Sequence, residues 1–390
     1  MIGEPIRVMH VTSRLNVGGL AQMVLTLCRE MESMGFNCWI VTGTPGPAEG
    51  EMLDFMPAPR HLVRIPEMGR SVRPIADLIA LWKLYHLFRR LRPDIVHTHA
   101  SKAGTLGRLA AFLARVPIRI HSNHGHVFEA FFSRVVSAVV VAIEWALGRL
   151  TTMMTLPCET MQREMVEVFH LMPPERTRVV PYGIPVETFI ELPPREGLRA
   201  RFGLAEKAVV IGSIGRMTEV KNQVLLLHAF SRMEKETDRF STQLLFVGGG
   251  ELQGDLQELV RDLGLCERVR FHPWVEDLRD AYAAIDILAL TSRNEGVPIA
   301  VLEAMASGVP VVSTAVGGLR DIIRDGETGI LVHEQEPSAY ARGLQLLVGD
   351  SALRERIARQ ARAYVRKAHS KERFVSDYAN LYLSLSGRFV

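Results

Sequence analysis

Short apolar runs alternate with longer amphipathic segments along the first half of the chain. The short runs predict strands, and the segments with apolar residues at helical spacing predict helices. This alternation is typical of β-α-β units in a parallel sheet. The predicted strands are Ile6–Val11, Trp39–Thr42, Ile95–Thr98 and Ile118–His121, and the predicted helices are Leu20–Met34 and Pro74–Leu91.

The second half repeats this pattern after a passage rich in proline and glutamate that ends near Arg195. We expect an α/β protein with two doubly wound Rossmann-like domains that face a cleft, because such sheets bind ligands at the carboxyl ends of their strands. The expected domains are residues 1–182 and 206–369, with a linker at 183–205 and a helical tail at 370–390. The second set of strands is predicted at Ala208–Ser213, Gln243–Val247, Arg268–His272, Ile285–Leu290 and Val309–Ser313.

Composition excludes several classes of protein. The 390 residues are 47% hydrophobic and 23% charged, an ordinary globular balance. The net charge is +3, and the basic excess lies in residues 1–182. This excess is too weak for a nucleic-acid-binding protein. It is compatible either with ordinary surface charge or with docking on an anionic membrane surface.

The chain also gives expectations about its compartment. Its four cysteines have no metal-ligand or redox spacing, which favours a reduced, cytoplasmic protein. The first residues resemble a strand rather than a cleavable signal peptide. The apolar segment Val135–Leu147 contains Glu144 and is too short to span a bilayer. A peripheral position on the inner face of the cell membrane stays open.

Two glutamates, seven residues apart, flank a predicted junction between a loop and a helix. Glu295 ends a polar loop, Pro298 fits the first helical turn, and Glu303 lies further along the helix. The free N–H groups at Gly296, Val297 and this helix start suit a diphosphate. Two carboxylates placed in this way suit sugar hydroxyls.

Two further loops have the composition of phosphate-binding segments. Arg216 and Lys221, five residues apart after a predicted strand, offer positive charge to a pyrophosphate. Gly18 and Gly19 precede the first helix and allow a ligand to approach the backbone closely. Taken alone, the glycine loop is equally compatible with a plain tight turn, and solvated charge at a helix start explains Arg216 and Lys221 better than phosphate binding does. The two glutamates in the same half reverse that preference for the two cations.

Histidines and aromatic residues cluster in the first half. His124, after a strand, is expected to offer a polar group to the cleft, and His97 and His99 are expected to alternate so that only one faces it. The histidines lack the partners of a zinc site, so no metal is expected. An aromatic stretch with Phe128, Phe131, Phe132 and Arg134 either packs in a core or contacts a membrane or lipid-linked acceptor.

Taken in order, these motifs resemble the retaining glycosyltransferases of family 4, which have the two-domain GT-B fold. The resemblance extends over nearly the whole chain and is closest to transferases that build bacterial exopolysaccharide or O-antigen units. It is carried by Gly18-Gly19, His97–Gly104, His124-Gly125, Val180–Ile184, Gly215-Arg216 with Lys221, Glu295 with Glu303, and Gly317-Gly318.

The resemblance implies a role for each site residue. Arg216, Lys221 and the glycine loops would hold the diphosphate of a nucleotide sugar, UDP- or GDP-linked, and Glu303 would bind its ribose. Glu295 and His124 would be catalytic. The reaction would retain the anomeric configuration without a metal or other cofactor, and the acceptor would be a sugar or a polyprenyl-linked sugar. The final helix would cross back to the N-terminal domain.

Two other functions stay open on the sequence. A sugar-nucleotide epimerase of the same fold would use the nucleotide pocket but no acceptor. A non-catalytic nucleotide-sugar-binding subunit would keep the fold without turnover. No motif in the sequence identifies the donor sugar or its base. No motif identifies the acceptor or the linkage formed either.

Overall fold

The structure of the protein is a computed structural model that describes residues 4–46, 50–69, 71–125, 134–236 and 241–388. Its contacts divide the chain into two compact units. The first unit combines Met1–Gly183 with Glu372–Val390, and the second is Ile184–Lys371. Each unit contains one parallel sheet covered by helices, so the prediction of two doubly wound domains is confirmed.

The sheet of the first unit has seven parallel strands in the order β3-β2-β1-β4-β5-β6-β7. The first strand, β1, lies in the interior of the sheet. Strands β2 and β3 extend the sheet toward one edge, and β4 to β7 extend it toward the other. The strands are β1 (Arg7–Thr12), β2 (Asn37–Thr42), β3 (Leu62–Arg64), β4 (Ile95–His99), β5 (Ile118–Ser122), β6 (Met153–Leu156) and β7 (Thr177–Val179).

Among the described residues, five helices connect these strands, and short 3₁₀ turns lie at Met52–Asp54 and Pro174–Arg176. Pro74 is the first residue of α2, where its missing N–H has no helical partner to lose. The chain continues from α5 into a π-turn at Glu164–Val168. The helices are α1 (Gly19–Ser33), α2 (Pro74–Leu91), α3 (Ser101–Leu113), α4 (Arg134–Leu150) and α5 (Glu159–Arg163).

The second unit repeats this plan with six parallel strands in the order β10-β9-β8-β11-β12-β13. Its first strand, β8, again lies in the interior of the sheet. Strands β9 and β10 extend the sheet on one side of β8, and β11 to β13 extend it on the other, so the strand order reverses between β8 and β11. Ligands of open α/β sheets bind at such a reversal. The strands are β8 (Val209–Ile214), β9 (Thr242–Val247), β10 (Val269–His272), β11 (Ile287–Leu290), β12 (Val311–Thr314) and β13 (Ile330–Val332).

The helices of the second unit cover both faces of its sheet, and a 3₁₀ turn lies at Glu219–Lys221. The core between them contains Phe230, Phe246 and Tyr340, each at most 1% exposed. The helices are α6 (Val186–Ile190), α7 (Leu198–Arg201), α8 (Gln223–Glu236), α9 (Gln253–Asp262), α10 (Leu278–Ala284), α11 (Ile299–Ser307), α12 (Leu319–Ile322), α13 (Pro337–Gly349), α14 (Ser351–Ala368) and, after its first residue in the first unit, α15 (Lys371–Ser386).

Residues 184–205, nearly all of the expected linker 183–205, are folded into the second unit. Its helices α6 and α7 pack against α11 and α10, and Arg199 forms an ion pair with Asp286 at 2.7 Å. The Pro- and Glu-rich composition of this segment did not predict these contacts, because they join residues far apart in sequence. Within the described residues, no helix combines the length and the apolar character needed to cross a bilayer.

Candidate functional site

The loop after β8 is held in place by the glycine turn after the neighbouring strand β9. The backbone N–H of Met217 donates to the carbonyl of Gly249 at 3.0 Å. A Cβ on Gly248 would lie 2.3 Å from the carbonyl oxygen of Gly215, and a Cβ on Gly250 equally close to that of Met217. The glycine turn after β9 is therefore scaffolding that allows two backbones to meet.

The same loop carries the two cations predicted to hold a diphosphate. Arg216 is exposed, and its carbonyl accepts a hydrogen bond from the side chain of Gln223 at 2.9 Å. Lys221 ends the 3₁₀ turn, and its carbonyl accepts from the hydroxyl of Thr291 at 3.1 Å. Since Thr291 belongs to the loop after β11, this hydrogen bond ties together the two loops that flank the strand reversal.

Glu295 lies in the loop after β11 and contacts Lys221 directly. Its Oε1 accepts from Lys221 Nζ at 2.5 Å and from the hydroxyl of Ser292 at 2.6 Å. The structure thus brings together two predicted site residues that are 74 positions apart. No feature of the sequence points to the contact with Ser292, because serines are common in polar loops.

The glycine pair after β12 fixes the backbone of Glu295. Gly318 donates its N–H to the carbonyl of Glu295 at 3.3 Å. Gly317 has φ +48°, and a Cβ there would lie 1.9 Å from the same carbonyl oxygen. Only glycine fits this approach, so Gly317 has a packing role at the backbone of Glu295.

Helix α11 begins at Ile299 next to Glu295. Pro298 is its N-cap residue, with an extended φ and ψ of −73° and 120°, and the expectation that it lies within the first turn is wrong by one residue. Gly296 is half-buried and Val297 is buried. No side chain caps the helix start, so backbone N–H groups remain for an anionic ligand.

Glu303 lies in the second turn of α11 and is only 2% exposed. Its Oε2 accepts a hydrogen bond from the hydroxyl of Tyr282 on α10 at 2.9 Å. Burial raises the pKa of Glu303 from 4.5 to about 7, and the Tyr282 hydrogen bond opposes that rise. The carboxyl therefore titrates near neutral pH. The partner tyrosine was missed in the sequence, where nothing links it to Glu303.

A cavity of about 640 Å³ lies at the other end of α11 from Glu295 and is lined mainly by α14. Among its lining residues, Arg362 donates to the carbonyls of Ala306 and Ser307 at 3.0 Å each. These are carbonyls at the helix C-terminus, where a cation is favourable. We assign this arginine a structural role.

In the first unit, the predicted glycine loop precedes α1. Gly18 has φ +154° and is the N-cap residue of this helix, and Gly19 is its first residue. The helix start has no side-chain cap and no acidic residue in its first turn. Its N–H groups are thus available to an anion, as the sequence suggested.

His124 belongs to a chain of hydrogen-bonded rings in the first unit. Its Nδ1 lies 2.7 Å from the hydroxyl of Tyr182, and its Nε2 lies 3.1 Å from Nδ1 of His99. Nε2 of His99 is in turn 3.1 Å from Nδ1 of His10. Burial lowers the pKa of His124 and of His10 to about 3. Each ring is therefore neutral near pH 7, with one donor and one acceptor.

This chain couples the tautomers of the rings. If Tyr182 donates to His124, then His124 must donate to His99, and His99 to His10; the reverse direction is the other consistent pattern. Both nitrogens of His124 are engaged in either case. His124 therefore acts on a ligand only if one of these hydrogen bonds is exchanged.

His97 and His99 lie on the same face of β4, because residues two apart on a strand point the same way. Their ring centroids are 4.2 Å apart and both side chains are buried. The expectation that they alternate across the strand is wrong. His97 is held by Tyr382 and Ser122, each at 2.6 Å.

Nitrogens of His10, His97 and His99 lie within 4.8 Å of one another. Hydrogen bonds to other rings and hydroxyls occupy the nitrogens of His97 and His99. A buried hydrogen-bond network thus accounts for both nitrogens of His97 and His99, whereas Nε2 of His10 is buried without a hydrogen-bond partner among the described residues. The aromatic residues Phe128, Phe131 and Phe132 lie outside the described residues, so the expectation for this stretch stays a prediction.

The sequence matches two families of transferases. Residues 194–364 match the family described as glycosyl transferases group 1, and residues 17–188 match the family described as Glycosyltransferase Family 4.

Two curated relatives cover most of the chain. A UDP-Gal:alpha-D-GlcNAc-diphosphoundecaprenol alpha-1,3-galactosyltransferase of Escherichia coli is 27% identical over 89% of each chain. A D-inositol 3-phosphate glycosyltransferase of Xylanimonas cellulosilytica is 30% identical over 90% of this chain and 88% of that protein.

Solved structures share the fold at low sequence identity. Sucrose-phosphate synthase from Thermosynechococcus elongatus has a TM-score of 0.80 at 20% identity and covers 98% of this chain and 100% of that one. The Anabaena protein HepE, solved in complex with UDP-glucose, also has a TM-score of 0.80 at 20% identity, over 97% and 100% of the two chains.

Proposed function

Because this chain belongs to the glycosyl transferases of group 1 and has their GT-B fold, we propose that it is a retaining, metal-independent hexosyltransferase. The donor is a UDP- or GDP-linked hexose or N-acetylhexosamine. The acceptor is a sugar or a polyprenyl-linked sugar in the synthesis of cell-surface polysaccharide. The reaction takes place at the cytoplasmic face of the membrane, with the protein peripherally attached.

One observation carries this proposal: Lys221 and Glu295 meet beside the strand reversal of the second sheet. Such a reversal is the usual ligand position in an open α/β sheet. A cation, a carboxylate and an uncapped helix start are next to one another there, as a sugar joined to a diphosphate requires. Glu303 on the same helix supplies a second carboxylate for hydroxyl groups.

Lys221 and the exposed Arg216 bind the diphosphate and stabilise the charge that develops on it as the sugar leaves. These two side chains provide the positive charge that a metal ion supplies in other transferases. Backbone N–H groups of Gly296, Val297 and the start of α11 add donors.

Glu295 orients the transferred sugar. Because Oε1 already accepts from Lys221 and Ser292, this carboxylate is better placed to accept sugar hydroxyls than to attack the anomeric carbon. This supports a reaction in which the leaving phosphate takes the acceptor proton on the same face. Positioning and charge stabilisation are then the main contributions of the protein.

Glu303 binds the ribose hydroxyls, with Tyr282 holding its carboxyl in place. In the first unit, Gly18 and Gly19 offer donors to an anionic group at the start of α1. His124 contributes a polar contact in catalysis after exchanging one hydrogen bond of its chain.

The name of the E. coli relative gives UDP-galactose as its donor and a diphosphoundecaprenol-linked sugar as its acceptor. This name supports testing UDP-galactose first with a polyprenyl diphosphate sugar. The inositol phosphate transferases show that the acceptor varies among relatives, so the acceptor must be determined by experiment.

The test compares wild type with Glu295→Ala and a surface control, Glu258→Ala, on α9. Thermal denaturation with UDP, GDP and their sugar conjugates first identifies the nucleotide, since a ligand bound by the native state raises the midpoint. We expect Glu295→Ala to bind the nucleotide but to lose transfer, while Glu258→Ala resembles wild type.

Product analysis then tests the chemistry. The anomeric configuration of the product should equal that of the donor, and a chelator should leave the rate unchanged. An isomerised nucleotide sugar formed without acceptor would show an epimerase instead. Nucleotide binding without turnover on any acceptor would favour a non-catalytic subunit.

A further inference from the structure

The outer sides of α2 and α4 expose apolar side chains at helical spacing. On α2, Ile75, Leu78, Ile79 and Trp82 are exposed, with Leu78 at 66% and Trp82 at 62%. These positions follow the i, i+3, i+4, i+7 pattern that normally packs into a core. Here the pattern is turned toward solvent for the first half of the helix.

Helix α4 repeats this feature. Val136, Val139 and Ile143 lie along one side of it and are all exposed, Val139 at 54%. Trp145 is also exposed, and the guanidinium of Arg149 lies 3.5 Å from the centroid of its ring. An indole paired with an arginine suits the boundary between hydrocarbon and water.

Both helices lie on the same face of the first sheet. The connections β3 to β4 and β5 to β6 run in the same direction along the sheet, and right-handed crossovers then place α2 and α4 on one side. Helix α3 packs against both and lies between them. The apolar side chains of α2 and α4 therefore form one outward surface, which we call the α2–α4 face.

The charges on these helices are almost all positive. Within α2, α3 and α4 the acidic side chains are Asp77 and Glu144, and both are in ion pairs, with Lys102 and Arg108 respectively at 2.6 Å. No negative charge on these helices is therefore left to oppose an anionic surface.

Arginines lie at the edge of the α2–α4 face. Arg89 and Arg90, in the last turn of α2, are exposed. No ion pair involves either of them among the residues that the structure describes. A second copy of the chain would bring such arginines together, whereas anionic headgroups would attract them.

We propose that the α2–α4 face docks the protein on a bilayer that contains anionic phospholipid. The apolar side chains enter the interface, the tryptophans lie at its boundary, and Arg89, Arg90 and Arg149 contact lipid phosphates. Helices that lie in the interface in this way combine an apolar side with flanking basic residues. This proposal rests on the proposed function, because the lipid-linked acceptor is the reason for choosing a bilayer as the partner.

The test is co-sedimentation of the full chain with vesicles made of equal parts of phosphatidylcholine and phosphatidylglycerol. The variant Leu78→Glu/Val139→Glu places two charges on the face at exposed positions that do not contribute to the core. The matched control is Leu346→Glu on α13, where the leucine is 53% exposed in the second unit. Vesicles of phosphatidylcholine alone measure the contribution of lipid charge.

We expect wild type and Leu346→Glu to bind the mixed vesicles equally, and the double variant to bind at least about tenfold more weakly. Binding to phosphatidylcholine alone should be weaker than to the mixed vesicles. The proposal is overturned if wild type does not bind, or if the double variant binds as well as wild type. It is also overturned if wild type is a dimer that the double variant dissociates, because the face would then join two copies.

Nucleotide-dependent thermal denaturation of the same proteins separates this inference from the proposed function. Loss of vesicle binding with an unchanged nucleotide shift supports a docking role for the face. Vesicle binding without any nucleotide shift would refute the proposed donor site and leave the docking face in place.

Discussion

Burial of the Glu303 carboxyl predicts that the second unit loses stability as the pH rises. Its pKa is about 7 in the folded protein, against 4.5 for an ordinary glutamate, and burial is the main cause. Between these two values the folded protein holds the proton that the unfolded chain has released. Stability is therefore highest below about pH 4.5 for this group, and it falls until the pH passes about 7.

The size of this effect follows from the two pKa values. One pKa unit corresponds to about 1.36 kcal/mol, so burying the ionised carboxylate costs about 3 kcal/mol above pH 7. For a unit of this size, about 1 kcal/mol moves the melting temperature by roughly 2–4 °C. The replacement Glu303→Gln removes the ionisation and keeps an acceptor oxygen for Tyr282. We expect it to melt higher than wild type by about 6–12 °C at pH 8 and to differ little at pH 5.

The assay is scanning calorimetry of wild type, Glu303→Gln and the exposed control Glu258→Gln at both pH values. A Glu303→Gln difference that is the same at pH 5 and pH 8 would refute the argument, since a pH-independent change cannot come from this carboxyl. Titration with the nucleotide supplies a second readout. The stabilised variant should bind nucleotide more weakly by about 1–3 kcal/mol, because a neutral amide is a poorer acceptor for ribose hydroxyls.

Three further changes test other parts of the site. Lys221→Met should weaken nucleotide diphosphate binding by about 1.5–3 kcal/mol in calorimetry, as expected for hydrogen bonds to a charged group; unchanged affinity would remove this lysine from the donor site. Gly317→Ala should cost about 1–3 kcal/mol of stability and lower transfer, because alanine is strained at this φ and its Cβ meets the neighbouring loop; Gly349→Ala, which has open space around it, is the control in denaturation and activity assays. Tyr182→Phe should lower transfer without changing nucleotide affinity, because His124 loses the hydrogen bond that orients its ring and couples its tautomer to Tyr182; equal loss of both would instead indicate general unfolding.

Much of the fold could be predicted because its elements have strong local patterns. Helix α2 has the predicted bounds, Pro74–Leu91, since proline marks its start and apolar spacing defines its length. The nine predicted strands lie within two residues of their expected ends, whereas the short strands β3, β6, β7 and β13 were not predicted. Residues 184–205 are folded instead of forming the expected linker, because their short helices are stabilised by contacts with α10 and α11 rather than by their own pattern.

The sequence predicts only part of the candidate site. Glu295, Glu303, Arg216 and Lys221 could be selected because carboxylates and cations in loops at strand ends suit a nucleotide sugar, and the family resemblance strengthened the choice. The sequence could not show that Lys221 and Glu295 touch, because that contact depends on which strands are neighbours. The prediction for His97 and His99 was wrong because side chains alternate between adjacent residues of a strand, whereas these two residues are two positions apart and point to the same face.

The sequence alone determined the alternation of strands and helices, the positions of the glycine turns and the set of charged residues available for binding. These properties depend on local backbone preferences and on spacing along the chain, which can be read from the order of residues. Tertiary structure decided which distant residues meet: Lys221 with Glu295, Tyr282 with Glu303, and His124 with Tyr182. It also decided that Leu78 and Trp82 of α2 face solvent, while Leu84, Leu87 and Phe88 of the same helix are buried in the core. Periodicity defines an apolar side of a helix, but only packing against other elements decides whether that side is buried.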